Sequence, residues 1–185
     1  MKDLYIGLVH YPVSNKNKEI VVSAITNLDI HDIARASKTF GAKKYFLITP
    51  STAQQEIAQQ VAEHWKTGYG ATYNEDRKDA IDLVVLANDI QESIDLIIKE
   101  TNKNPLVFAT SANKGKDILS VNELKEKVKK EDVPLLLLFG TGHGLVLDLI
   151  PQLNGMLEPI LGAGDYNHLS VRSAASIYLY ELSRN

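Results

Sequence analysis

Residues 135–139 read Leu-Leu-Leu-Leu-Phe, and residues 140–144 continue Gly-Thr-Gly-His-Gly. An apolar run followed by a glycine-rich segment is typical of a buried strand that ends in a turn. A second glycine-bearing segment, Pro-Ile-Leu-Gly-Ala-Gly, occupies 159–164 and precedes the small-residue stretch 167–177. Because glycine lacks a Cβ atom, such turns let main-chain amides approach a ligand closely. The two segments together predict a slot lined by main chain, as α/β proteins use for nucleotide-like cofactors.

Each segment taken alone has a simpler interpretation. Residues 140–144 would also suit a tight turn between a strand and a helix, and residues 169–182 an ordinary core-packed helix. The first segment is not a dinucleotide-binding fingerprint, because the third glycine of G-x-G-x-x-G would fall at Leu145.

The rest of the chain alternates between strand and helix patterns. Predicted strands are 4–9, 45–49, 83–87, 106–110 and 134–140, and predicted helices are 29–40, 52–65, 89–98, 120–130 and 169–182. Residues 68–76 are predicted to be an exposed loop, and 77–81 a short helical turn. Several strands are apolar on both faces, which predicts an α/β fold with a mainly parallel sheet and helices on both faces.

Length and composition predict one domain over residues 1–185, with a core large enough to be stable without disulfides or bound metal ions. The sequence has no cysteine, which excludes disulfides, thiolate zinc sites and cysteine nucleophiles. The five histidines show no metal-ligand spacing, so we expect no metal. Neither a signal pattern nor an apolar run of membrane-spanning length is present, so we expect a cytoplasmic protein without a membrane segment.

The formal net charge of −3 differs from the basic balance of many nucleic-acid-binding proteins. RNA contacts would therefore come from local patches or from the surface of an oligomer. Candidate patches are Lys16 with Lys18, Lys43 with Lys44, Lys114 with Lys116, and the run 125–130. The last of these alternates with glutamates, as a solvated helix face does.

Three blocks of sequence resemble a known family. The first is 29–41, Asp-Ile-His-Asp-Ile-Ala-Arg-Ala-Ser-Lys-Thr-Phe-Gly; the second is 138–140, Leu-Phe-Gly, followed by Gly-Leu at 144–145. The third is 159–162, continued by 169–177 and closing with Leu-Tyr-Glu at 179–181. Their order and spacing resemble those of the SPOUT-class RNA methyltransferases, which bind S-adenosylmethionine in a C-terminal trefoil knot. The pair Asn167-His168 is also similar to the Gly-Asn-His element of the tRNA guanine-N1 branch.

This resemblance implies a C-terminal trefoil knot, a homodimer, S-adenosylmethionine as cofactor, and tRNA or rRNA as substrate. It also implies that the cofactor is bound by residues of the second and third blocks. These are Leu138, Phe139, Gly140, Gly142, Gly144, Ile160, Gly162, Leu169, Ser170 and Ser173.

The resemblance further implies that Asp29, Arg35 and Arg172 contact the RNA. For Arg35 the alternative is a surface salt bridge with Asp32 or Asp29, and Arg172 has a similar ambiguity. Methylation of guanine N1 would need a group that accepts a proton. Asp165 is the leading candidate for that proton acceptor, ahead of Asp148 and Asp29. Arg35 is the second residue expected to have a catalytic role.

The chain also differs from the ribose-methylating branch of the family. Asp29 and Ser170 stand where that branch has asparagine, and its second-block glutamate is absent, with His143 nearby instead. The acceptor atom, on a base or on a ribose, is therefore left open. Two other functions remain compatible with the sequence: a non-catalytic RNA-binding or regulatory protein that keeps the cofactor slot, and a nucleotide-binding domain without an RNA partner.

Overall fold

The apolar run at 135–140 forms the middle strand of a seven-stranded sheet in the computed structural model, which describes residues 3–112 and 118–184. The strands in chain order are β1 (Leu4–Val9), β2 (Val13–Ser14), β3 (Ile20–Val21), β4 (Lys44–Ile48), β5 (Val84–Ala87), β6 (Leu106–Ala109), β7 (Ile118–Leu119), β8 (Leu135–Gly140) and β9 (Gly155–Leu157). The helices are α1 (Asn27–Thr39), α2 (Thr52–Lys66), α3 (Tyr69–Tyr73), α4 (Glu75–Ile81), α5 (Ile90–Thr101), α6 (Val121–Glu131) and α7 (Val171–Ser183).

The sheet has the strand order β5-β4-β1-β8-β6-β9-β7. All its neighbouring strands within the described residues pair in parallel. Strands β2 and β3 form a separate antiparallel ribbon. The predicted α/β fold with a mainly parallel sheet is therefore confirmed.

Two apolar layers cover the sheet, one on each face. Along β8, Leu135, Leu137 and Phe139 face the layer that contains α1, α6 and α7. Leu136 and Leu138 face the opposite layer, to which α5 contributes Ile90, Ile94 and Ile97. Helices therefore lie on both faces, and alternate side chains of one strand are buried in different layers.

Local sequence signals fix several helix ends. Ser120 and Glu123 form a capping box at the start of α6, and Asp89 accepts a hydrogen bond from the Glu92 amide at the start of α5. Gly41 follows α1 with φ of +76°, a conformation that suits glycine.

The prediction of an exposed loop at 68–76 was wrong, since α3 and the start of α4 lie there. Gly70 is buried against the indole of Trp65, where an added Cβ atom would lie 2.6 Å from Cε3. Asn74 caps α4 by accepting a hydrogen bond from the Arg77 amide. Glycine and asparagine serve here in helix packing and capping, and the short helix predicted at 77–81 begins at Glu75.

Candidate functional site

A cavity of about 780 Å³ opens at the carboxyl ends of β1, β6, β8 and β9. Three segments, 110–112, 139–144 and 167–172, supply most of its lining. Ser23, Ala24, Asp29, Ile160, Ala174 and Tyr178 complete it. Strand register brings the first two of these segments together, because Val9 pairs with Gly140 and Ala109 pairs with Leu138. This edge of a parallel sheet is where α/β proteins bind ligands, and the volume lies in the usual range for a small-molecule site.

The turn at 140–144 is shaped by glycine. An added Cβ atom at Gly140 would lie 2.8 Å from the Leu145 nitrogen, so the chain reverses too closely for a side chain. Gly142 and Gly144 have φ of +59° and +106°, in the region that favours glycine. The Ser14 amide donates to the Gly144 carbonyl at 2.9 Å, and the His143 amide donates to the Ser14 carbonyl at 2.9 Å. The turn is therefore held firmly against β2.

A chain of hydrogen bonds lies beneath this turn. The Thr141 hydroxyl donates to the Val9 carbonyl at 3.1 Å and also contacts the Ser23 hydroxyl. The Ser23 hydroxyl lies 2.9 Å from Nδ1 of His10, whose side chain is fully buried. Burial lowers the pKa of His10 to about 4, against an opposing effect of the Asp29 carboxylate. His10 is therefore neutral at neutral pH and helps to fix the cavity floor.

An ion pair joins α1 to the start of α7 at the cavity wall. The Arg172 guanidinium lies 2.8 Å from Oδ1 of Asp29 and 3.4 Å from Oδ2 of Asp32. The other oxygen of Asp29 accepts a hydrogen bond from the Thr26 hydroxyl at 2.7 Å, and Asp29 is only 5% exposed. The aspartates weighed as partners for Arg35 thus pair with Arg172. Ser170 caps α7 by accepting a hydrogen bond from the Ser173 amide.

The loop between β9 and α7 forms the remaining wall. Asn167 accepts a hydrogen bond from the Gly162 amide at 3.0 Å and donates to the Ala112 carbonyl at 3.5 Å. The Tyr178 hydroxyl donates to the Glu158 carbonyl at 2.6 Å. Burial raises the pKa of Tyr178 to about 12, so this donor keeps its proton. Asn167 and Tyr178 thus attach the loop to the rest of the cavity.

Most of the residues expected at a cofactor slot lie in this lining. They are Phe139, Gly140, Gly142, Gly144, Ile160, Leu169 and Ser170. Leu138, Gly162 and Ser173 are not part of the lining: Leu138 is buried in the sheet, and the other two are exposed and bond to Asn167 and Ser170.

The residues expected to act on the RNA separate into two groups. Asp29 and Arg172 line the cavity. Arg35, on the exposed side of α1, and Asp165, on the exposed loop between Ile160 and Asn167, lie outside the lining. Asp148 is also exposed and outside it. The lysine pair Lys114 and Lys116 falls outside the residues that the structure describes.

Sequence reasoning missed several lining residues. Thr110, Ser111 and Ala112 directly follow β6, and the rule that ligands bind at the carboxyl ends of parallel strands would have identified them. Ser23 and Ala24 follow the small β2–β3 ribbon, and no pattern in the sequence marks them. Tyr178 lies one helical turn beyond Ala174 on α7, where both face inward.

Residues 3–112 and 118–184 contain neither a metal-binding cluster nor a membrane-spanning helix. No group of three or more histidine, aspartate or glutamate side chains there could hold a metal ion. No helix in those residues combines the length and the apolar character that crossing a bilayer requires.

Comparisons with known proteins agree with this geometry. A family model described as SAM-dependent RNA methyltransferase matches residues 3–184. An uncharacterized protein of Aquifex aeolicus is 38% identical over 185 residues, which cover all of this chain and 90% of that protein. A tRNA (guanine-N(1)-)-methyltransferase of Oleidesulfovibrio alaskensis is 42% identical over 176 residues, which cover 95% of this chain. This chain spans only 41% of that relative's length.

Solved structures show the same fold at low sequence identity. The SpoU methyltransferase AviRb from Streptomyces viridochromogenes superposes with a TM-score of 0.62 at 15% identity, covering 98% of this chain and 58% of that one. The family match over 3–184 confirms the S-adenosylmethionine-dependent RNA methyltransferase family that the three sequence blocks predicted, and AviRb shows that the chain has the fold of a SpoU methyltransferase.

Proposed function

Because this chain belongs to the family of SAM-dependent RNA methyltransferases, we propose that it transfers a methyl group to N1 of a guanine in tRNA. The observation that carries the proposal is the cavity at the carboxyl ends of β1, β6, β8 and β9, lined by the glycine turn 140–144 and the start of α7. Two relatives, 42% and 37% identical, are named as tRNA (guanine-N(1)-)-methyltransferases. This chain spans about two fifths of the length of each relative. Its own activity must therefore be tested with this chain and not inferred from the longer relatives.

The cavity suits S-adenosylmethionine in shape and in chemistry. Ile160, Leu169 and Tyr178 offer apolar surface for an adenine ring, and the turn at 140–144 offers main-chain groups and open space beside Gly144. Hydroxyls of Ser23, Thr110 and Ser170 lie in the same lining and suit ribose or amino-acid groups. When bound, S-adenosylmethionine supplies an activated methyl group on a sulfonium centre.

The protein's own residues then have to orient the acceptor and remove its proton. We assign the proton acceptor to Asp165, whose carboxylate is exposed on the loop that also carries Asn167 and Gly162. Asp29 is less suited, because Arg172 and Thr26 engage both its oxygens. A positioned general base contributes a factor of about 10²–10⁴ to such a reaction.

The two arginines have separate roles in this proposal. Arg172 orders the first turn of α7 through Asp29 and Asp32 and presents its remaining surface at the cavity mouth. Arg35 lies on the exposed face of α1, where a planar, permanently charged group suits contact with RNA phosphate.

We also propose a homodimer, a C-terminal trefoil knot, a single domain over residues 1–185 and a cytoplasmic location. Exposed apolar side chains on α1 and α7 support the dimer: Leu28, Ile177 and Tyr180. The resemblance of the three sequence blocks to the SPOUT class supports the knot. One sheet with an apolar layer on each face supports the single domain. The proposed tRNA substrate supports the cytoplasmic location.

The direct test is methyl transfer by the purified chain. Incubation with labelled S-adenosylmethionine and unmodified tRNA, followed by mass spectrometry of the nucleosides, should yield 1-methylguanosine. Asp165→Asn should lower the rate while leaving cofactor affinity, measured by calorimetry, unchanged. Appearance of 2′-O-methylnucleosides would assign the acceptor to ribose instead. If the chain binds S-adenosylmethionine but transfers no methyl group to tRNA or rRNA, the enzyme would be rejected in favour of a non-catalytic RNA-binding protein.

Arg35 is tested separately from the cavity. Arg35→Ala should weaken tRNA binding and leave cofactor affinity unchanged, because Arg35 lies outside the cavity lining. Lys99→Ala is the matched control, since it removes one positive charge from exposed α5 on the opposite face of the sheet. Equal loss of RNA binding in the two variants would contradict the role given to Arg35.

A further inference from the structure

A second, open cavity of about 470 Å³ lies between α1, α2 and α4. His31, His64, Trp65 and Arg77 form most of its wall. Both cavities are lined by residues from the first turn of α1, since Asn27 lines the second cavity and Asp29 the first. An RNA strand that crosses the N-terminal end of α1 could therefore contact both cavities.

Three side chains of this cavity pack around the ring of Trp65. The Arg77 guanidinium lies 4.5 Å from the centroid of the Trp65 ring. His31 and His64 meet the same ring edge-on, with centroid distances of 5.4 and 5.2 Å. Gly70 packs closely against the indole. Three nitrogen-bearing side chains are thus arranged around one aromatic ring, and a cation over a tryptophan face is a favourable arrangement.

This arrangement places hydrogen-bond donors and the positive charge of Arg77 in the wall of the cavity. The buried Nε of Arg77 and Nδ1 of His31 have no hydrogen-bond partner among the described residues. Burial lowers the pKa of His31, and the nearby Arg77, Arg35 and His64 lower it further, whereas Asp32 opposes them. Asp32 also pairs with Arg172. An anion in this cavity would balance the charge of the Arg77 guanidinium.

Exposed aromatic rings continue the surface on α3. Tyr69 and Tyr73 are 77% and 74% exposed, and their rings stack with centroids 6.0 Å apart. Helix α3 contacts both α2 and α4, which carry the cavity's tryptophan and arginine. Exposed aromatic rings beside a positively charged groove are the usual features that bind single-stranded RNA, with bases on the rings and phosphates in the groove.

We propose that the cavity of His31, His64, Trp65 and Arg77 binds a phosphate of the substrate RNA, with an adjoining base stacked on Tyr69 or Tyr73. The site would anchor a nucleotide next to the one that enters the first cavity. The inference rests on the proposed RNA substrate. RNA fits better than an acidic peptide, because the tyrosine pair offers stacking surface that carboxylate side chains do not use.

Trp65 is the only tryptophan in the sequence, so its fluorescence reports on this cavity alone. Titration with a single-stranded oligouridylate, without S-adenosylmethionine, should give a saturable change in Trp65 emission. A glutamate-rich peptide of equal charge should give none. An equal response to the peptide, or no response to the RNA, would overturn the inference.

Variants separate the two parts of the proposed contact. Arg77→Gln and His64→Gln should each weaken RNA binding about tenfold, and Arg77→Gln should reduce the slope of log affinity against log salt by about one. Tyr69→Ala should weaken binding without changing that slope. Lys130→Gln, an equal loss of charge at the end of α6, serves as control. Because His64 and Tyr69 are exposed, their variants keep the test valid even where Arg77→Gln destabilises the fold.

The outcome is independent of the test for methyl transfer. Normal RNA affinity in the His64 and Tyr69 variants, in a chain that methylates tRNA, would reject this site and leave the proposed function intact. A saturable Trp65 response in a chain that transfers no methyl group would support the site and reject the enzyme.

Discussion

His10 shows how one residue can connect the sheet to the cavity. Its imidazole is fully buried at the end of β1, with Nδ1 next to the Ser23 hydroxyl and Nε2 without a partner among the described residues. Ser23 in turn contacts Thr141 in the glycine turn. Charge on His10 would be poorly solvated, so the folded protein favours the neutral ring.

The buried His10 predicts an acid-dependent loss of stability. The unfolded chain binds a proton at His10 near pH 6.5 but the folded chain only near pH 4, so the free energy of unfolding falls as pH falls between these values. From pH 7 to pH 5 the loss due to His10 is about 2 kcal/mol. His10→Asn should reduce the pH dependence of urea unfolding by that amount. The same dependence in both proteins would contradict the prediction.

The Asp29–Arg172 pair should contribute measurably to stability, because Asp29 is buried. Arg172→Ala leaves that carboxylate without its cation and should lower the free energy of unfolding by about 2 kcal/mol, less than for a fully buried pair because Arg172 is partly exposed. It should also raise the dissociation constant of S-adenosylmethionine.

Arg184→Ala provides the control for the ion pair on the same helix. Arg184 is exposed and lies 3.8 Å from Glu181, so its loss should cost less than about 0.5 kcal/mol. In Asp29→Asn the effect of Arg172→Ala should shrink, since the charge it balances is gone. Strictly additive effects would show that the two residues act independently.

Among the structural elements, the turn at 140–144 is the most sensitive to a small change. Gly140→Ala places a Cβ atom 2.8 Å from the Leu145 nitrogen and 3.2 Å from the Gly144 carbonyl carbon, so the turn must shift. We expect at least a tenfold rise in the dissociation constant of S-adenosylmethionine, about 1.4 kcal/mol, measured by calorimetry.

Gly164→Ala is the matched control for that substitution. An added Cβ atom at Gly164 meets nothing within 4 Å, although the residue lies on the loop beside the same cavity. Its affinity should stay within about twofold of the wild type, or about 0.4 kcal/mol. Equal losses in the two glycine variants would show that the turn at 140–144 has no special role.

Sequence predicted the long elements well, because burial and capping leave clear signals. The apolar run at 4–9 is β1, and Ser120 and Asp89 cap the helices predicted after them. Strands of two or three residues, such as β7 and β9, are too short to show any period. The error at 68–76 came from Gly70, whose contact with Trp65 depends on tertiary packing.

The cavity was predicted only in part, for a physical reason. Gly140 and Ser170 belong to continuous patterns, so their segments were identified. Ser23 and Tyr178 reach the cavity through chain folding, and nothing in their local sequence distinguishes them. The pairing of Arg172 with Asp29, 143 positions apart, also depends on how α7 packs against α1.

For the whole molecule, the proposed dimer predicts a specific weak point. Ile177 and Tyr180 lie on the exposed side of α7, and Leu28 is exposed on α1, which packs against α7. Ile177→Arg would place a charge in an apolar interface and should give a monomer in sedimentation experiments. Ile57→Arg, at an exposed isoleucine on α2, should leave the dimer intact. A monomeric wild-type protein would contradict the dimer.

The middle position of β8 has a consequence for synthesis on the ribosome. Strand β8 pairs with both β1 and β6, yet it is translated after β1, β4, β5 and β6. A nascent polypeptide can assemble β1, β4 and β5 early, but one edge of β1 then stays open, with its amides and carbonyls unpaired. The cavity is completed even later, because Tyr178 of α7 belongs to its lining. We therefore expect fragments that end before β8 to associate with other chains through that open edge.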